Sequence, residues 1–437
     1  MTLGQQSDTI VALSSGQLPS GVAVIRASGP GAGDICALFG IKQPAARFAK
    51  FAKLKSPIDH SVIDEGLVLF FPNPASFTGE DLVELQVHGS RAVVQFVLDQ
   101  MIQMPSVRLA EAGEFTRRAF ENGKLDLTRV EGIADLIDAQ TESQRALAAA
   151  RMQGGLSEKL STWRLQLVKL RAEIEARLDF SDEDDVPFEL PITYSSDLKK
   201  LHEEISCELG EFNQGRMIRE GVRVALVGHP NVGKSSLLNA LSRSEVAIVT
   251  EVPGTTRDVI EVEIDLGGVL FRLFDTAGIR ETVDHVESIG IERTRNSASL
   301  ADIVIGLTDD GQLPDGFSFD MIVGTKLDSR ETDAKFSADV NISVKTDDGL
   351  KAFKKLLVDQ VTKMNDSRET LLISHKRDQA ALTEARDALD RASKLVYAPE
   401  LLAEELRVAS YVLGRLIGEV GTEDVLDELF AGFCIGK

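Results

Sequence analysis

The period of apolar and polar positions changes three times along the chain. Over the first ~120 residues, short apolar runs are broken by Gly and Pro, as in GVAVIRASGP (21–30) and EGLVLFFP (65–72). That is the rhythm of strands and turns. FTGEDLVELQVHGS (77–90) alternates from Leu82 to Val87 and stops at Gly89, and RAVVQFVLDQM then takes up helical spacing. An α+β domain over residues 1–120 is expected. From Leu125, apolar residues recur three and four apart over many turns with little Pro, which predicts long, packed helices. The acidic run Ser181–Asp185 ends that stretch and reads as a solvated helix terminus or loop, and a further helix fits Asp197 to Asn213.

At Val222 the pattern becomes alternating strand and helix. The predicted strands are VRVALVG, EVEIDL, VLFRLF, IVIGLT, MIVGT and VNISV, and the predicted helices are SSLLNALS, Ser288–Leu300 and Leu350–Val361. Such alternation makes an α/β sheet of mostly parallel strands. EVEIDL–GG–VLFRLF reads as a hairpin turning at Gly267-Gly268, so one antiparallel strand is expected. Helical spacing returns after Ser367. The fold class is α/β plus α+β. The simplest architecture is a helical domain in two parts, 121–216 and 367–437, interrupted by an inserted nucleotide-binding domain over 217–366. Four consecutive domains are the alternative that the pattern leaves open.

Bulk properties narrow the function. A chain of 437 residues predicts two to three domains. No apolar run approaches the 18 residues of a membrane span, and MTLGQQSDTI lacks the basic and apolar regions of a signal peptide. Three scattered cysteines, Cys36, Cys207 and Cys434, argue against a disulfide framework and predict a reducing, cytoplasmic setting. A net charge of −21 disfavours a general nucleic-acid coat, leaving RNA contact to a local basic patch or a basic partner.

The chemistry is concentrated after Val222. GHPNVGKS (228–235) matches G-x-x-x-x-G-K-[ST] between a predicted strand and a predicted helix. Its backbone N–H groups, from Asn231, Val232, Gly233, Lys234, Ser235 and Ser236, would surround phosphates at a helix N-terminus. Lys234 would reach the β- and γ-phosphates and Ser235 would ligate Mg²⁺. PGTTRD (253–258) sits where a switch segment supplies a Thr, here Thr256, to Mg²⁺; the surrounding contacts run over Thr250, Glu251, Val252, Pro253, Gly254 and Thr255. In DTAG (Asp275, Thr276, Ala277, Gly278), Asp275 would hold Mg²⁺ through water and the Gly278 N–H would meet the γ-phosphate. TKLD (Thr325, Lys326, Leu327, Asp328) stands where GTPases have NKxD. Asp328 can accept from guanine N1–H and N2–H₂, a donor pair that adenine lacks. SVK (Ser343, Val344, Lys345) stands where SAK is usual, its N–H groups facing guanine O6. Thr325 in place of Asn is expected to shorten or remove a side-chain contact to the base or the phosphate loop. Val344 in place of Ala is a smaller change.

Many GTPases carry a Gln after DTAG or DxxG that orients the attacking water. Here the residue is Ile279, with no polar atom to offer. A resemblance supplies an answer. NVGKSSLLNALSRSEVAIVTEVPGTTRDV, DTAGIRETVDHVESIGIERT, the N-terminal IRASGP, SFTGEDLVELQVHG and GEFTRRAFENGKLDL, and a terminal CIGK closely resemble the MnmE (TrmE) family of tRNA modification GTPases. The resemblance covers essentially the whole chain. It implies an N-terminal folate-binding and dimerisation domain, a discontinuous helical domain and an inserted Ras-like P-loop GTPase domain. It implies a homodimer working with the flavin-dependent partner MnmG (GidA). Together they add an aminomethyl-type group to C5 of the tRNA wobble uridine, using a one-carbon unit from a tetrahydrofolate derivative of the 5-formyl or 5,10-methylene type.

The same resemblance implies activation by K⁺-dependent G-domain dimerisation. Asn231, Thr250, Val252 and Thr255 match the K⁺ site, and Glu287 matches the catalytic Glu that orients water. On spacing alone, Glu287 reads as a surface carboxylate of an acidic loop. Arg280 reads as a switch or interface residue, with an arginine finger as the other role. By the resemblance, Arg26, Glu84, Lys124 and Lys437 contact folate; without it each is an ordinary surface charge. Cys434, near the folate pocket by the resemblance, is either a buried inert thiol or a chemical participant. The competing reading is an Era-like ribosome-assembly or RNA-binding GTPase without folate chemistry. Such proteins carry a commonly basic RNA module after the G domain, whereas here an acidic helical tail follows. A third reading leaves all base chemistry to the flavin partner.

Overall fold

The computed structural model describes residues 8–179, 189–244, 246–248, 261–275, 298–329, 337–364, 371–420, 430, 432–433 and 436. The chain divides into two compact units, Met1–Ala134 with Leu413–Lys437, and Asp135–Val412.

In the first unit the alternating segments become strands β1 (Thr9–Leu13), β2 (Ser20–Ser28), β3 (Lys50–Lys55), β4 (Val62–Phe71), β5 (Leu82–Gly89) and β6 (Val107–Leu109). Helices α1 (Ala32–Leu38), α2 (Arg91–Met101), α3 (Glu114–Glu121) and α4 (Leu127–Asp138) are interleaved with and follow them. The sheet order is β3-β4-β5-β2-β1-β6, antiparallel except for β1 with β6. One face of the sheet buries Val11, Ile25 and Leu85 against Ile35 and Phe39 of the α1 region and Val94 and Val97 of α2. The far end of the chain joins this unit: Phe430, 3% exposed, packs with Leu127 and Val130.

In the second unit, helices α5 (Glu142–Met152), α6 (Gly155–Asp179) and α7 (Tyr194–Glu220) precede the inserted sheet. Thr141 and Gln144 form a capping box that starts α5 and separates it from α4, so the helical texture is several helices rather than one long rod. The predicted helix over 197–213 runs longer, because Tyr194 and Met217 extend the buried stripe of Leu198, Leu201, Ile205 and Phe212. The sheet comprises β7 (Val222–Val227), β8 (Glu261–Leu266), β9 (Val269–Asp275), β10 (Ile303–Thr308), β11 (Met321–Gly324) and β12 (Val340–Asn341). Its order is β12-β11-β10-β7-β9-β8. All neighbours are parallel except β8 and β9, which form the hairpin at Gly267-Gly268. Helices α8 (Lys234–Ser242) and α9 (Leu350–Met364) belong to this sheet, and its core gathers Val224, Leu226, Leu237, Leu241, Ile305 and Phe353. Most of the predicted helix 288–300 lies outside the described residues.

Helices α10 (Lys376–Lys394) and α11 (Pro399–Ile417) follow the inserted sheet. The stretches before and after the inserted sheet meet through Arg151 of α5 and Asp378 of α10, both 0% exposed and 2.6 Å apart. Arg151 also donates to the Leu372 carbonyl, and His375 Nε2 lies 2.8 Å from Asp135. Among the described residues no helix is long and apolar enough to cross a membrane.

Candidate nucleotide-binding site

The phosphate loop links β7, the central strand with β10 and β9 on either side, to α8. Its backbone is shaped by two residues with positive φ, Asn231 (64°) and Gly233 (108°). Gly233 occupies the left-handed region immediately before α8, where a side chain would be strained, and so delivers Lys234 to the first position of the helix. Lys234 is 6% exposed. Its ammonium donates to the carbonyls of Gly228 (2.8 Å) and His229 (3.1 Å), which aims it across the mouth of the loop. Burial pushes the Lys234 pKa below the ordinary lysine value, and attraction to Asp275 offsets only part of that. Ser235 is exposed at the start of α8, and its Oγ donates to Asp275 Oδ2 at 3.0 Å. A hydroxyl and a carboxylate converging beside a lysine are hard oxygen donors of the kind Mg²⁺ takes, so the residues fit that ion.

The base end is built from the C-terminal ends of β11 and β12. Thr325 is 4% exposed, and its hydroxyl donates to the Val232 carbonyl at 2.6 Å. Of the two contacts expected to be shortened or lost, to the base or to the phosphate loop, a contact to the loop is present: β11 brings the Thr325 hydroxyl against it. Asp328 lies on a 3-10 turn (Leu327–Ser329) and receives the hydroxyls of Ser343 (2.8 Å) and Ser329 (3.0 Å). The Ser343 hydrogen bond, helped by Ser329 and by attraction to Lys345, holds its carboxyl below the usual range and hence ionised as an acceptor. The Ser343 hydroxyl was not anticipated from sequence, which pointed only to the backbone of SVK. Its signal was a hydroxyl residue fifteen positions beyond Asp328 at the end of the next strand. Lys326, φ 54°, pairs with Asp309 at 2.6 Å. Val344 packs against the sheet core. The phosphate loop, Asp275, Thr325, Asp328 and Ser343 thus lie at one end of the sheet, at the carboxyl ends of its parallel strands.

Several expected residues lie outside the described residues: Thr250, Glu251, Val252, Pro253, Gly254, Thr255, Thr256, Thr276, Ala277, Gly278, Glu287, Cys434 and Lys437. The remaining cysteines are free, Cys36 buried and Cys207 exposed.

In the first unit, Arg26 of β2 and Glu84 of β5 face each other in register. The guanidinium donates twice to Glu84 Oε1, at 3.1 and 2.8 Å, and lies 5.9 and 5.8 Å from the ring centroids of Phe77 and Phe115. Lys124 is exposed nearby, its Cε 3.2 Å from where a Cβ on Gly79 would stand. At Gly436 a Cβ would stand 2.1 Å from the Leu13 carbonyl, so the tail passes the end of β1 beside the Arg26 strand. A buried network supports this end of the sheet: Arg118, 1% exposed, donates to Asp8, Glu80 and Glu114, and Glu80 accepts from Ser28. Sequence reading missed that network, although Glu114 and Arg118 stand four apart on one helix.

The inserted sheet of the second unit, with its phosphate loop and Asp328 at the carboxyl end of the parallel strands, has the architecture of a P-loop GTPase domain. Two family descriptions match the chain, "GTP-binding protein TrmE N-terminus" over residues 9–124 and "MnmE helical domain" over 127–434. The tRNA modification GTPase MnmE of Rhizobium johnstonii is 46% identical over 437 residues, spanning 99% of both chains. That of Sinorhizobium medicae is 45% identical over 444 residues, spanning 99% of this chain and 100% of the relative. The chain belongs to the MnmE family of tRNA modification GTPases. Among solved structures, the G domain of the T. maritima FeoB iron transporter is 25% identical, with 32% of this chain and 97% of that one covered at a TM-score of 0.24. At so low a score that likeness adds nothing to the assignment.

Proposed function

We propose that the chain is a K⁺-activated GTPase that controls modification of the tRNA wobble uridine. Working as a homodimer with a flavin-dependent partner of the MnmG (GidA) type, it serves addition of an aminomethyl-type group, such as carboxymethylaminomethyl, at C5. A tetrahydrofolate derivative supplies the one-carbon unit. The observation that carries the reading is the match to tRNA modification GTPases along 99% of the chain. The arrangement of Lys234, Ser235 and Asp275 is consistent with it.

In this mechanism Lys234 and the loop amides bind the phosphates, and Asp328 and the Ser343 loop orient guanine. Ser235 and Thr256 would hold Mg²⁺, which would supply charge neutralisation of the phosphates. Asn231, Thr250, Val252 and Thr255 would hold K⁺, which would supply a fixed positive charge of the kind an arginine finger provides. Glu287 orients water, directly or through a second water, which replaces the Gln missing at Ile279. Arg26, Glu84, Lys124 and Lys437 bind the folate. Arg26 reaches its anionic or acceptor groups while Glu84 and the flanking Phe77 and Phe115 rings hold the guanidinium in place.

GTP turnover in KCl against NaCl, at matched ionic strength and protein concentration, tests the activation. Strong stimulation by K⁺ is expected. Equal rates would remove the K⁺ site and the role given to Glu287. Titration with 5-formyltetrahydrofolate tests the first unit, and absence of binding would remove the folate role given to Arg26, Glu84, Lys124 and Lys437.

A further inference from the structure

The second unit has a groove of about 790 Å³ between α8 and α9, on the helix that begins at Lys234. Its charged lining is Arg243, Lys351 and Lys354 against a single carboxylate, Asp347. Arg243 and Lys351 are exposed and Lys354 is half-buried. Among the described residues, none of these three cations has an ion pair or a side-chain hydrogen bond. What sets them apart is their convergence on one groove with a single carboxylate, whereas pairs such as Arg171–Glu175 and Arg391–Glu405 are neutralised within their own surface. The positions are also fixed. Phe353 and Leu357 anchor α9 in the sheet core, Leu237 and Leu241 anchor α8, and Lys351 and Lys354 stand one turn apart on α9.

We propose that this groove docks the phosphate backbone of RNA. The inference rests on the tRNA reading above and names where this chain would touch the nucleic acid. With a net charge of −21 the chain repels a polyanion as a whole, so contact with RNA requires a locally basic, unneutralised surface. Asn239 adds an amide to the lining, a group that pairs with phosphate and ribose oxygens. An acidic protein segment fits less well. Protein interfaces are anchored by large apolar side chains entering pockets; of the apolar lining here, Ala240, Leu241, Val344 and Leu350, Leu241 belongs to the sheet core and Val344 and Leu350 are already packed against it.

The test is binding of fluorescently labelled tRNA to the full-length protein over a range of salt concentrations. It compares the natural chain with the triple variants R243Q/K351Q/K354Q and R243E/K351E/K354E. GTP affinity measured without RNA reports that each variant is folded. For the Gln variant, tRNA affinity is expected to fall roughly tenfold or more at low salt. The slope of log affinity against log salt should become shallower by about 2 to 3, about one per lost phosphate contact. The Glu variant should bind more weakly still. Unchanged affinity and slope would overturn the proposal while leaving the tRNA reading standing. Retained tRNA binding with lost capture of the flavoprotein partner would reassign the groove to a protein and overturn it. Undetectable tRNA binding by the natural chain would overturn it too, and the KCl and folate measurements judge the wider reading independently.

Discussion

At Asp328 two serine hydroxyls and a nearby lysine hold a carboxylate ready to accept. In the proposed site Asp328 meets guanine N1–H and N2–H₂, and Asp328→Asn would replace one of its two acceptor oxygens with an NH₂ donor. GTP should then bind on the order of 100-fold more weakly or worse, because the site's polar groups would face the wrong partners. XTP, which carries a carbonyl oxygen where guanine has its 2-amino group, should be gained as a substrate. Turnover of GTP and XTP by the variant decides this. Thr325 makes a second residue-scale prediction. Val has the same shape but no hydroxyl, so Thr325→Val leaves the Val232 carbonyl without the donor now 2.6 Å away. A loss of about 1–3 kcal/mol in unfolding free energy is expected, read by denaturant titration. At this scale the sequence was legible where motif spacing carries the chemistry, as in GHPNVGKS and TKLD. It was not legible where a contact depends on which strand lies beside which: nothing in TKLD reveals that β11 presses Thr325 against the phosphate loop.

Among the elements, the joint between α5 and α10 governs stability. Arg151 and Asp378 are fully buried and paired across more than two hundred residues of sequence. Replacing one partner leaves an uncompensated buried charge, so Arg151→Met should cost about 3–5 kcal/mol. Burial pushes the Asp378 pKa up, but attraction from Arg151 and then His375 outweighs it, and the net shift is downward. A carboxylate with a lowered folded pKa stabilises the fold above its unfolded pKa of about 3.9 and loses that contribution as pH falls through the folded value. Urea midpoints should therefore hold from pH 7 to about pH 4 and fall below it, and Asp378→Asn should flatten that acid limb. The helices and strands themselves were largely readable. Period two gave β5, period 3.6 gave α6 and α7, and the Gly-Gly pair gave the hairpin of β8 and β9. The buried ion pair was not, since Arg and Asp in a helical pattern read as solvent-facing charges until the distant element that covers them is known.

For the molecule as a whole, the grouping of the chain matters more than any one contact. Residues from both ends, Met1–Ala134 and Leu413–Lys437, form one compact unit. Phe430 closes a cluster with Leu127 and Val130, and a Cβ on Gly418 would stand 2.7 Å from the Phe120 ring. A chain ending at Val412 should lose this packing. Its N-terminal unit should melt earlier and be cleaved faster by protease than in the full chain, while the GTPase sheet, whose elements all lie before that point, should keep its nucleotide affinity. Equal protease resistance of the N-terminal unit in the two chains would refute this. The pattern along the chain distinguished an α+β start, helices and an inserted α/β sheet, but amphipathic periodicity says only that a face is buried, not which distant segment covers it.

The same grouping sets an order of events during synthesis. The ribosome makes the first 134 residues early, yet the segment that completes their unit begins at Leu413, roughly 280 residues later. At about 5–20 residues per second, the wait is roughly 15–55 s. During that interval the inserted sheet, contiguous in the nascent chain, can close around Val224, Leu226 and Phe353, while the N-terminal sheet waits with the Leu127–Val130 surface uncovered. A message cut short anywhere in the last segment would therefore release a chain able to bind nucleotide but carrying an unfinished first unit, a defect that chaperones and proteases can recognise by its exposed apolar patch.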